Sequence, residues 1–543
     1  MDKTTATTSL SLRSLTKPLA SQWGVLALLI AVWTLEIYWL QSFTLISESG
    51  WKAADYSQAV AFRLTITILF CTGLTLLLPR LALVPCFIIL LLFTQGAWFY
   101  HQYFEQALSW TTIRTLFMEG SDSIKIDKAF IIPAVLTTST LLLLVKLALL
   151  WGTGKWPPRS RPRYAMGTLA LSGYIALILL FNAMGNTPLK SMRNWMSFDR
   201  VAVAHGYIVT WVGEAIHVNN DTLLKNALAA RQVTSDQITP IEGSLDLPGH
   251  LVLLQVESLD WHVLGLERQG REITPRLNAL REQSMFFKVQ AVHKNGSADA
   301  DFVMLHACHP GNGVVTYKIA GYPHADSLPR IAMQAGLPMT VLHGNKARFY
   351  SRIDAFRQMD FQQTIFVKQM IEDYTLEPKK WGAVPDREVM MLSADLLEQA
   401  ASPQSHLIIT YTSHTPFVML PDTVTPMLDN PGDTVDTRYL NSIHYVDQAI
   451  GEYLDRLPKG TTVVIYADHE SAAGYPERLR PSGTPEYIPT FVYRVGEDLS
   501  QRQVSRDLPE PQSGQWTLID VAAWVRHWLE AKVQAQGQDA DQD

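Results

Sequence analysis

The sequence predicts an α-helical membrane domain of five transmembrane helices, followed by an α/β domain with a mostly parallel central sheet. Two observations lead to this fold class. Hydrophobic residues make up 47% of the 543-residue chain and are crowded toward its N-terminal third, which is typical of a membrane part joined to a soluble part. From His250 onward, short apolar runs alternate with helical patterns, as in a parallel sheet with helices on both faces.

Five apolar stretches are long enough, or nearly so, to cross a bilayer. They are residues 23–43, 62–78, 81–100, 130–151 and 164–184. Burying five such stretches inside one soluble protein would be difficult, so we expect five transmembrane helices. No small-residue cleavage site follows the first stretch, which predicts a retained anchor rather than a removed signal peptide.

Changes in composition along the chain predict four parts. They are a transmembrane domain (1–185), a linker with helices along the membrane (186–249), an extracytoplasmic α/β domain (250–533) and a polar tail (534–543). Strands of the α/β domain are predicted at residues 251–256, 339–343, 406–411, 462–467 and 488–493.

The basic residues of the N-terminal part predict its orientation. Arg13 and Lys17 precede the first apolar stretch, Arg80 lies between the second and third, and residues 155–163 carry four more before the fifth. All of them lie on one side if each stretch crosses once, and the positive-inside rule makes that side cytoplasmic. Five crossings then place the α/β domain outside the cytoplasm.

The charge and the cysteine content argue against nucleic-acid binding and against a fold built on disulfides or a zinc knuckle. The net charge is −6 and the α/β domain has no long basic run, so nucleic acid is not expected as a partner. The three cysteines, Cys71, Cys86 and Cys308, build neither a disulfide framework nor a zinc knuckle.

Four polar residues stand where predicted strands give way to loops. Glu257 follows the first strand, Asp468 and His469 follow the fourth, and Ser297 follows a glycine between a helix and an apolar run. Taken singly, an Asp-His pair is usually a surface turn and a Glu at a strand end is usually solvated. Together they suggest a mostly oxygen-donor site for a divalent ion at the carboxyl edge of the sheet. Such an ion would activate Ser297, the candidate nucleophile.

Cationic and imidazole side chains follow two further strands. His343 and Arg352 come after one of them, and His414 comes after the other. Guanidinium and imidazole groups beside a divalent ion suit a phosphate, because a phosphoryl-transfer transition state spreads negative charge over its equatorial oxygens. The alternative for Arg352 is an ordinary surface ion pair.

In order and spacing these segments resemble the lipoteichoic acid synthase family, which comprises metal-dependent phosphoglycerol transferases of the alkaline phosphatase superfamily with a sulfatase-like fold. The resemblance covers most of the chain. The matching motifs are Val256-Glu257-Ser258, Thr274-Pro-Arg-Leu-Asn278, Ser297-Ala-Asp-Ala-Asp-Phe302, Ser327-Leu-Pro329, His343-Gly-Asn345, Phe349-Tyr-Ser-Arg352, Ser413-His-Thr-Pro-Phe417, Tyr445-Val-Asp-Gln-Ala-Ile-Gly451 and Ala467-Asp-His469.

The resemblance implies a role for each candidate. Ser297 stands at the position of the family's threonine, which attacks the phosphodiester of phosphatidylglycerol, releases diacylglycerol and carries phosphoglycerol covalently. One divalent ion, Mn²⁺ first and Mg²⁺ or Zn²⁺ as alternatives, is expected; its implied ligands are Glu257, Ser297, Asp468 and His469. The substrate-binding residues that the family implies are His343, Tyr350, Arg352 and His414. His414 is also the candidate proton shuttle, because imidazole titrates near neutral pH.

Three departures from the family pattern stand out. Ser297 replaces threonine and keeps the hydroxyl, Tyr350 replaces a tryptophan that packs against glycerol, and Ala467 replaces glycine. The change at Tyr350 leaves the headgroup open. The expected partners are phosphatidylglycerol as donor, a glycan or lipid acceptor, and the lipid bilayer. The expected location is the bacterial inner (cell) membrane, with the catalytic domain on the periplasmic side.

Three other functions compete with this prediction. A phosphoethanolamine transferase that modifies a polysaccharide or lipid A shares the superfamily, although its lipid A branch often carries several disulfides. A sulfatase needs proline and arginine after its nucleophile, and the residues after Ser297 supply neither. A catalytically silent membrane scaffold would not need to retain all four implied metal ligands.

Overall fold

The computed structural model describes residues 22–44, 53–104, 107–110, 112–113, 131–151, 160–184, 198–217, 220–237, 245–293, 296–311, 314–347, 349–415, 417–471, 485–500 and 513–540. The chain separates into two compact units. The first consists of Met1–Trp110 and Lys128–His217, and the second of Thr111–Asp127 and Val218–Asp543.

The first unit is helical. Its described helices are α1 (Gln22–Thr44), α2 (Ala53–Leu77), α3 (Arg80–Phe104), α4 (Pro133–Trp151), α5 (Arg161–Met184) and α6 (Phe198–His217). Helices α1 to α5 are each long and apolar enough to cross a membrane, which confirms the five predicted transmembrane helices. Within the described residues, a sixth crossing would arise only if 201–216 and 220–232 counted together as one bent span.

Buried or half-buried charged side chains join the membrane helices to one another. Arg80 donates from Nε to the carbonyl of Leu150 (2.6 Å), and Arg163 donates from Nη2 to the carbonyl of Leu78 (3.1 Å). Both arginines were used above to predict the orientation. Each also donates to a carbonyl near the C-terminus of a helix, Arg80 at α4 and Arg163 at α2. Glu36 of α1 and Lys146 of α4 form a fully buried ion pair. A charge inside a membrane needs such a partner.

In the part of the second unit from Val218 onward, a helix precedes one large sheet. The helix is α7 (Asn220–Gln237). The strands are β1 (Leu251–Val256), β2 (Glu267–Arg268), β3 (Arg271–Glu272), β4 (Met285–Gln290), β5 (Met339–His343), β6 (Gln363–Phe366), β7 (Ser405–Ile409), β8 (Thr462–Ala467), β9 (Tyr487–Arg494) and β10 (Trp516–Thr517). Eight of them form the sheet in the order β10-β4-β9-β8-β1-β7-β5-β6, and β2 pairs with β3 separately.

The large sheet is mostly parallel, as predicted. Only β9 runs against its neighbours, β4 and β8. The remaining pairs, β1 with β7 and β8, β5 with β6 and β7, and β4 with β10, are parallel. All six residues of β1 and of β8 are buried, as expected for central strands with covered faces. Their carboxyl ends, and those of β4, β5 and β7, therefore meet at one edge.

Helices cover this sheet. They are α8 (Pro275–Leu280), α9 (Ala298–His306), α10 (Leu328–Gln334), α11 (Arg352–Phe356), α12 (Val367–Glu372), α13 (Asp386–Glu398), α14 (Val435–Arg456) and α15 (Leu518–Ala540). Helix α15 continues past residue 533, where the polar tail was expected to begin. The predicted linker divides between the units, with α6 in the first and α7 in the second. Asn220 and Arg231 of α7 bond Ala320 and Asp326 of the second unit.

Candidate active site and metal centre

Ser297 stands at the N-terminus of α9, at the carboxyl edge of the sheet. Gly296 precedes it with φ +134°, a conformation that L side chains rarely adopt. A serine in this position usually accepts a backbone N–H of the helix, but Ser297 makes no such bond. Its hydroxyl donates to Glu257 Oε1 at 3.2 Å instead and lies 3.3 Å from His469 Nε2. The hydroxyl is therefore directed at the predicted metal ligands.

The three predicted ligands other than Ser297 lie close together. One ligand atom from each of Glu257, Asp468 and His469 lies within 4.8 Å of the others. His469 Nε2 is 3.6 Å from Glu257 Oε1 and 3.5 Å from Asp468 Oδ2. With the Ser297 hydroxyl, the donor set is three oxygens and one imidazole nitrogen, a combination that suits a divalent ion.

Neighbouring groups orient these ligand atoms. Asp468 Oδ1 accepts the backbone N–H groups of Ser258 (2.7 Å) and His469 (2.9 Å). Among the described residues, none donates a hydrogen bond to Asp468 Oδ2, although this atom is buried. His469 Nδ1 lies 2.7 Å from the carbonyl of Glu470, an arrangement that keeps its proton on Nδ1 and leaves Nε2 for a metal.

The electrostatics of the cluster favour a cation. Burial and the charge of Asp468 raise the pKa of Glu257 well above its usual value. Burial alone would lower the pKa of His469, but Asp468 and Glu257 outweigh it and raise this pKa to about 9. Protons bound to this cluster therefore offset the negative charge of Glu257 and Asp468, which lie close together. A divalent ion would offset the same charge. The residues present therefore fit the expected metal.

Arg352 is not on the surface, so the alternative of an ordinary surface ion pair is wrong. Its side chain is 2% exposed and forms a bidentate pair with Asp301, whose side chain is 0% exposed. Nε donates to Asp301 Oδ2 at 3.1 Å, and Nη2 donates to Asp301 Oδ1 at 2.8 Å. A guanidinium has five N–H donors, so three remain beyond this pair.

The imidazoles of His343 and His414, the predicted substrate-binding histidines, are neutral at pH 7. Burial, with Arg352 nearby, lowers the pKa of His343 to about 3, and burial lowers that of His414 to about 4. His343 Nδ1 lies 2.8 Å from the carbonyl of Ile409, and His414 Nδ1 lies 2.6 Å from that of Thr415. Protonated Nδ1 atoms would leave each Nε2 as an acceptor. His343 Nε2 is buried and has no hydrogen-bond partner in the described part of the chain.

Tyr350 lies close to both Arg352 and Gly296, the residue before Ser297. It has φ 58° and Ser351 has φ 59°, so two consecutive non-glycine residues adopt the left-handed conformation, which costs free energy and is concentrated at functional sites. The Tyr350 hydroxyl lies 2.7 Å from where a Cβ at Gly296 would be. Its ring centroid is 5.3 Å from Arg352 Cζ. Any side chain at position 296 would displace Tyr350.

Three residues at the site were not predicted. They are Asp301, Gln255, which donates to the Ser297 carbonyl at 3.4 Å, and His293, whose ring centroid is 4.5 Å from that of His469. Gln255 carried a signal, since it is a polar residue inside an otherwise apolar strand. Asp301 lay inside a matching motif, but nothing in that motif reveals its partner.

Two of the matching motifs support the scaffold instead. Asp447, in the motif 445–451, accepts the backbone N–H groups of Arg276 (3.0 Å) and Leu277 (2.8 Å) at the start of α8. Gly451, at the end of that motif, lies against the Arg276 side chain, 2.7 Å from where its Cβ would be. The motifs at 274–278 and 445–451 therefore bind each other.

Comparison with known proteins finds a matching family and several relatives. Residues 250–505 match the sulfatase family. The chain is 26% identical over 300 residues to lipoteichoic acid synthase 2 of Bacillus subtilis, covering 50% of this chain and 45% of that protein. It therefore spans less than half the length of that relative.

Two solved structures are similar to the chain. The lipoteichoic acid synthase LtaP of Listeria monocytogenes has a TM-score of 0.46 and 18% identity, over 56% of this chain and 78% of that one. The lipooligosaccharide phosphoethanolamine transferase A (EptA) of Neisseria meningitidis has a TM-score of 0.48 and 14% identity, over 92% and 95%. The sequence match over residues 250–505 therefore assigns a sulfatase-like α/β domain to the second unit.

Proposed function

We propose that the protein is a membrane-anchored, metal-dependent phosphoglycerol transferase. It would move phosphoglycerol from phosphatidylglycerol, through a covalent intermediate on Ser297, to an extracytoplasmic glycan or lipid acceptor. The observation that supports this most is the Ser297 hydroxyl, which lies 3.2 Å from Glu257 and 3.3 Å from His469 within a cluster suited to a divalent ion. The similarity to a lipoteichoic acid synthase supports the same class of reaction.

The metal would be held by Glu257, Asp468, His469 and the oxygen of Ser297. Mn²⁺ is the proposed ion, with Mg²⁺ and Zn²⁺ as alternatives, because oxygen donors and one imidazole suit all three. When bound, such an ion would lower the pKa of the Ser297 hydroxyl and withdraw charge from phosphate oxygens.

In the first half of the reaction, Ser297 Oγ attacks the phosphorus of the donor lipid. The bond from phosphorus to the diacylglycerol oxygen breaks, and phosphoglycerol stays on Ser297. His414, neutral at pH 7, would accept the proton that Ser297 loses and return it to the diacylglycerol oxygen. In the second half, His414 would take the proton of the acceptor hydroxyl as its oxygen attacks the phosphorus. The bond from phosphorus to Ser297 Oγ would break, and His414 would return the proton to Ser297 Oγ.

The remaining predicted residues would bind the transferred group. The free N–H groups of Arg352 would face phosphate oxygens, where negative charge increases in the transition state. His343 Nε2, a buried acceptor, would take a hydrogen bond from the headgroup. Tyr350 would pack against the glycerol, in place of the family's tryptophan.

The membrane helices explain how such an enzyme meets its substrate. A phospholipid donor stays in the bilayer, so a tethered catalytic domain meets it at the membrane surface. With five crossings and a cytoplasmic N-terminus, the domain would act on the outer leaflet of the bacterial inner membrane. Arg80 and Arg163, which bond the ends of α4 and α2, would mark the cytoplasmic side.

A phosphoethanolamine transferase acting on a polysaccharide or lipid A is the second candidate, and His343 is equally compatible with it. His343 Nε2 is an acceptor only, and an acceptor binds the ammonium of ethanolamine as readily as a hydroxyl of glycerol. The residues around Ser297 would perform the same chemistry on either donor.

The mass of the covalent intermediate tests both proposals. The full-length protein in detergent is incubated with Mn²⁺ and phosphatidylglycerol or phosphatidylethanolamine without an acceptor, quenched in acid and digested. We expect the peptide that contains Ser297 to gain the mass of phosphoglycerol, and Ser297→Ala to gain none. A phosphoethanolamine adduct instead would favour the second candidate. An unmodified Ser297 with both lipids, while either lipid still releases diacylglycerol, would contradict the covalent route.

A further inference from the structure

We propose that Asp301 is a positioning residue, which acts through Arg352 and couples the phosphate-binding guanidinium to the helix that carries the nucleophile. The proposal rests on the proposed function, because it takes Ser297 as the nucleophile and Arg352 as a phosphate ligand. It adds a role for a residue that touches neither the metal ligands nor the reacting hydroxyl.

The pairing between Asp301 and Arg352 sets the direction of the guanidinium. Asp301 lies one turn after Ser297 on α9, and both of its carboxylate oxygens accept from Arg352, at 2.8 and 3.1 Å. Two parallel hydrogen bonds fix the plane of a guanidinium, whereas a single bond leaves it free to rotate. The edge with the remaining N–H groups is therefore held in one direction before a substrate arrives.

Gln255 connects this pair to the nucleophile. Its Nε2 lies 3.4 Å from the carbonyl of Ser297 and 3.5 Å from Asp301 Oδ1, and its Oε1 accepts from the Tyr466 hydroxyl at 3.2 Å. Gln255 belongs to β1 and Tyr466 to β8. Asp301 and Ser297 therefore lie at the same end of α9, and both are close to the side-chain amide of Gln255. Strands β1 and β8 hold this amide in place.

Charge balance explains why a carboxylate performs this task. A buried guanidinium without a counter-ion carries a large desolvation penalty. Asp301 neutralises Arg352 when no phosphate is bound and still leaves three of its five donors unused. A neutral partner at position 301 would leave the buried cation without a counter-ion, and would accept through one oxygen instead of two.

A purely structural ion pair would behave differently from a positioning residue. Loss of a structural pair lowers stability, while the folded fraction keeps its normal reaction with substrate. If Asp301 positions Arg352, replacing Asp301 lowers kcat/KM of the folded enzyme when Arg352 is present and has little further effect when Arg352 has been replaced. The two roles therefore separate in a double-mutant cycle on activity.

The experiment uses the full-length protein in detergent with Mn²⁺ and phosphatidylglycerol vesicles, and measures diacylglycerol release. Asp301→Asn, Arg352→Gln and the double variant are compared with the wild type. We expect each single variant to lower kcat/KM at least tenfold. We expect kcat/KM of the double variant to lie within twofold of that of Arg352→Gln alone. Multiplicative losses in the double variant would overturn the proposal.

Asp301→Glu keeps the proposal testable if the single variants fail to fold. It retains the charge but moves the carboxylate by one methylene, so we expect a folded protein with at least a tenfold lower kcat/KM. A folded Asp301→Glu with wild-type kcat/KM would overturn the proposal. The matched control is Asp447→Asn, another buried carboxylate that binds backbone N–H groups at α8, which should lower the melting temperature and leave kcat/KM within twofold.

Failure of the proposed function would be visible separately. If the wild type releases no diacylglycerol from phosphatidylglycerol, that function is wrong, and binding of inorganic phosphate by calorimetry becomes the probe. Phosphate that binds at least tenfold more weakly to Asp301→Glu than to the wild type would support the positioning role. Equal binding, or no binding to either protein, would contradict it.

Discussion

The Ser297 hydroxyl donates to Glu257 Oε1 across 3.2 Å, although two other strands separate the strands that precede these residues. Glu257 ends β1, whereas Ser297 follows β4, and β8 and β9 lie between them in the sheet. Ser297 therefore lies at the end of a central strand, away from the strand that precedes it in the chain. This position brings the proposed nucleophile to the carboxylates, and the proposed chemistry depends on it.

Replacing Ser297, the proposed nucleophile, should lower activity without unfolding the protein. We expect Ser297→Ala to lower diacylglycerol release by about a thousandfold or more, since no other oxygen takes its place, with a melting temperature close to that of the wild type. The matched control is Ser297→Thr, which keeps the hydroxyl and should stay within about tenfold of the wild type. Substantial release by a metal-loaded Ser297→Ala would show that another group attacks the lipid.

Metal binding should stabilise the protein and release protons. The ligands must be deprotonated to bind, and the pKa of His469 is about 9 in the metal-free protein, so Mn²⁺ should bind more tightly as the pH rises from 6.5 to 9. At a hundred times Kd the ion would add about 2.7 kcal/mol to the free energy of unfolding. Calorimetry in buffers of different ionisation enthalpy measures the protons. Wild-type affinity in Asp468→Asn would argue against the site.

Without metal, the stability of the second unit should fall as the pH rises. The folded-state pKa of His469 lies above the 6.5 of an unperturbed histidine, and that of Glu257 lies above 4.5. The folded protein then binds more protons than the unfolded chain, so the stabilisation from His469 is complete below pH 6.5 and is lost toward pH 9. Melting temperatures in chelator across this range measure it. His469→Gln should flatten the profile.

The buried ion pair of the membrane unit should show strong coupling. Glu36→Gln or Lys146→Met alone leaves one charge buried without its partner, at a cost of about 3–5 kcal/mol. The double variant removes both charges and should recover most of the lost melting temperature in detergent. Additive losses would mean that the two side chains do not stabilise each other.

The orientation predicts which residues an impermeant reagent reaches. Met333, on α10 of the second unit, is 45% exposed. A cysteine in its place should react with a membrane-impermeant maleimide in intact spheroplasts, whereas Arg161→Cys, at the start of α5, should react only after lysis. Cys308 is buried and provides a low background. The reverse pattern would place the α/β domain in the cytoplasm.

Local patterns were sufficient for much of the architecture. The bounds predicted for β1, β5 and β8 coincide with those of the structure, because buried strands are short apolar runs that end at polar residues. Strands β4 and β6 and helix α9 were not predicted. In β4 the chain alternates only partly, and α9 is buried along its whole length, so neither shows the periodicity of a half-exposed element.

Part of the candidate site could likewise be predicted from local patterns, and part could not. Glu257, Asp468 and His469 could be grouped from the sequence because each directly follows a strand, and parallel strands end at a common edge. The sequence by itself also determined the five membrane helices, since the length and polarity of a segment decide whether it crosses a bilayer. Only the tertiary structure decided that Arg352 pairs with Asp301 and that Tyr350 lies against Gly296. Those contacts join segments about 50 residues apart, and their geometry depends on strand order and loop path, which no local pattern encodes.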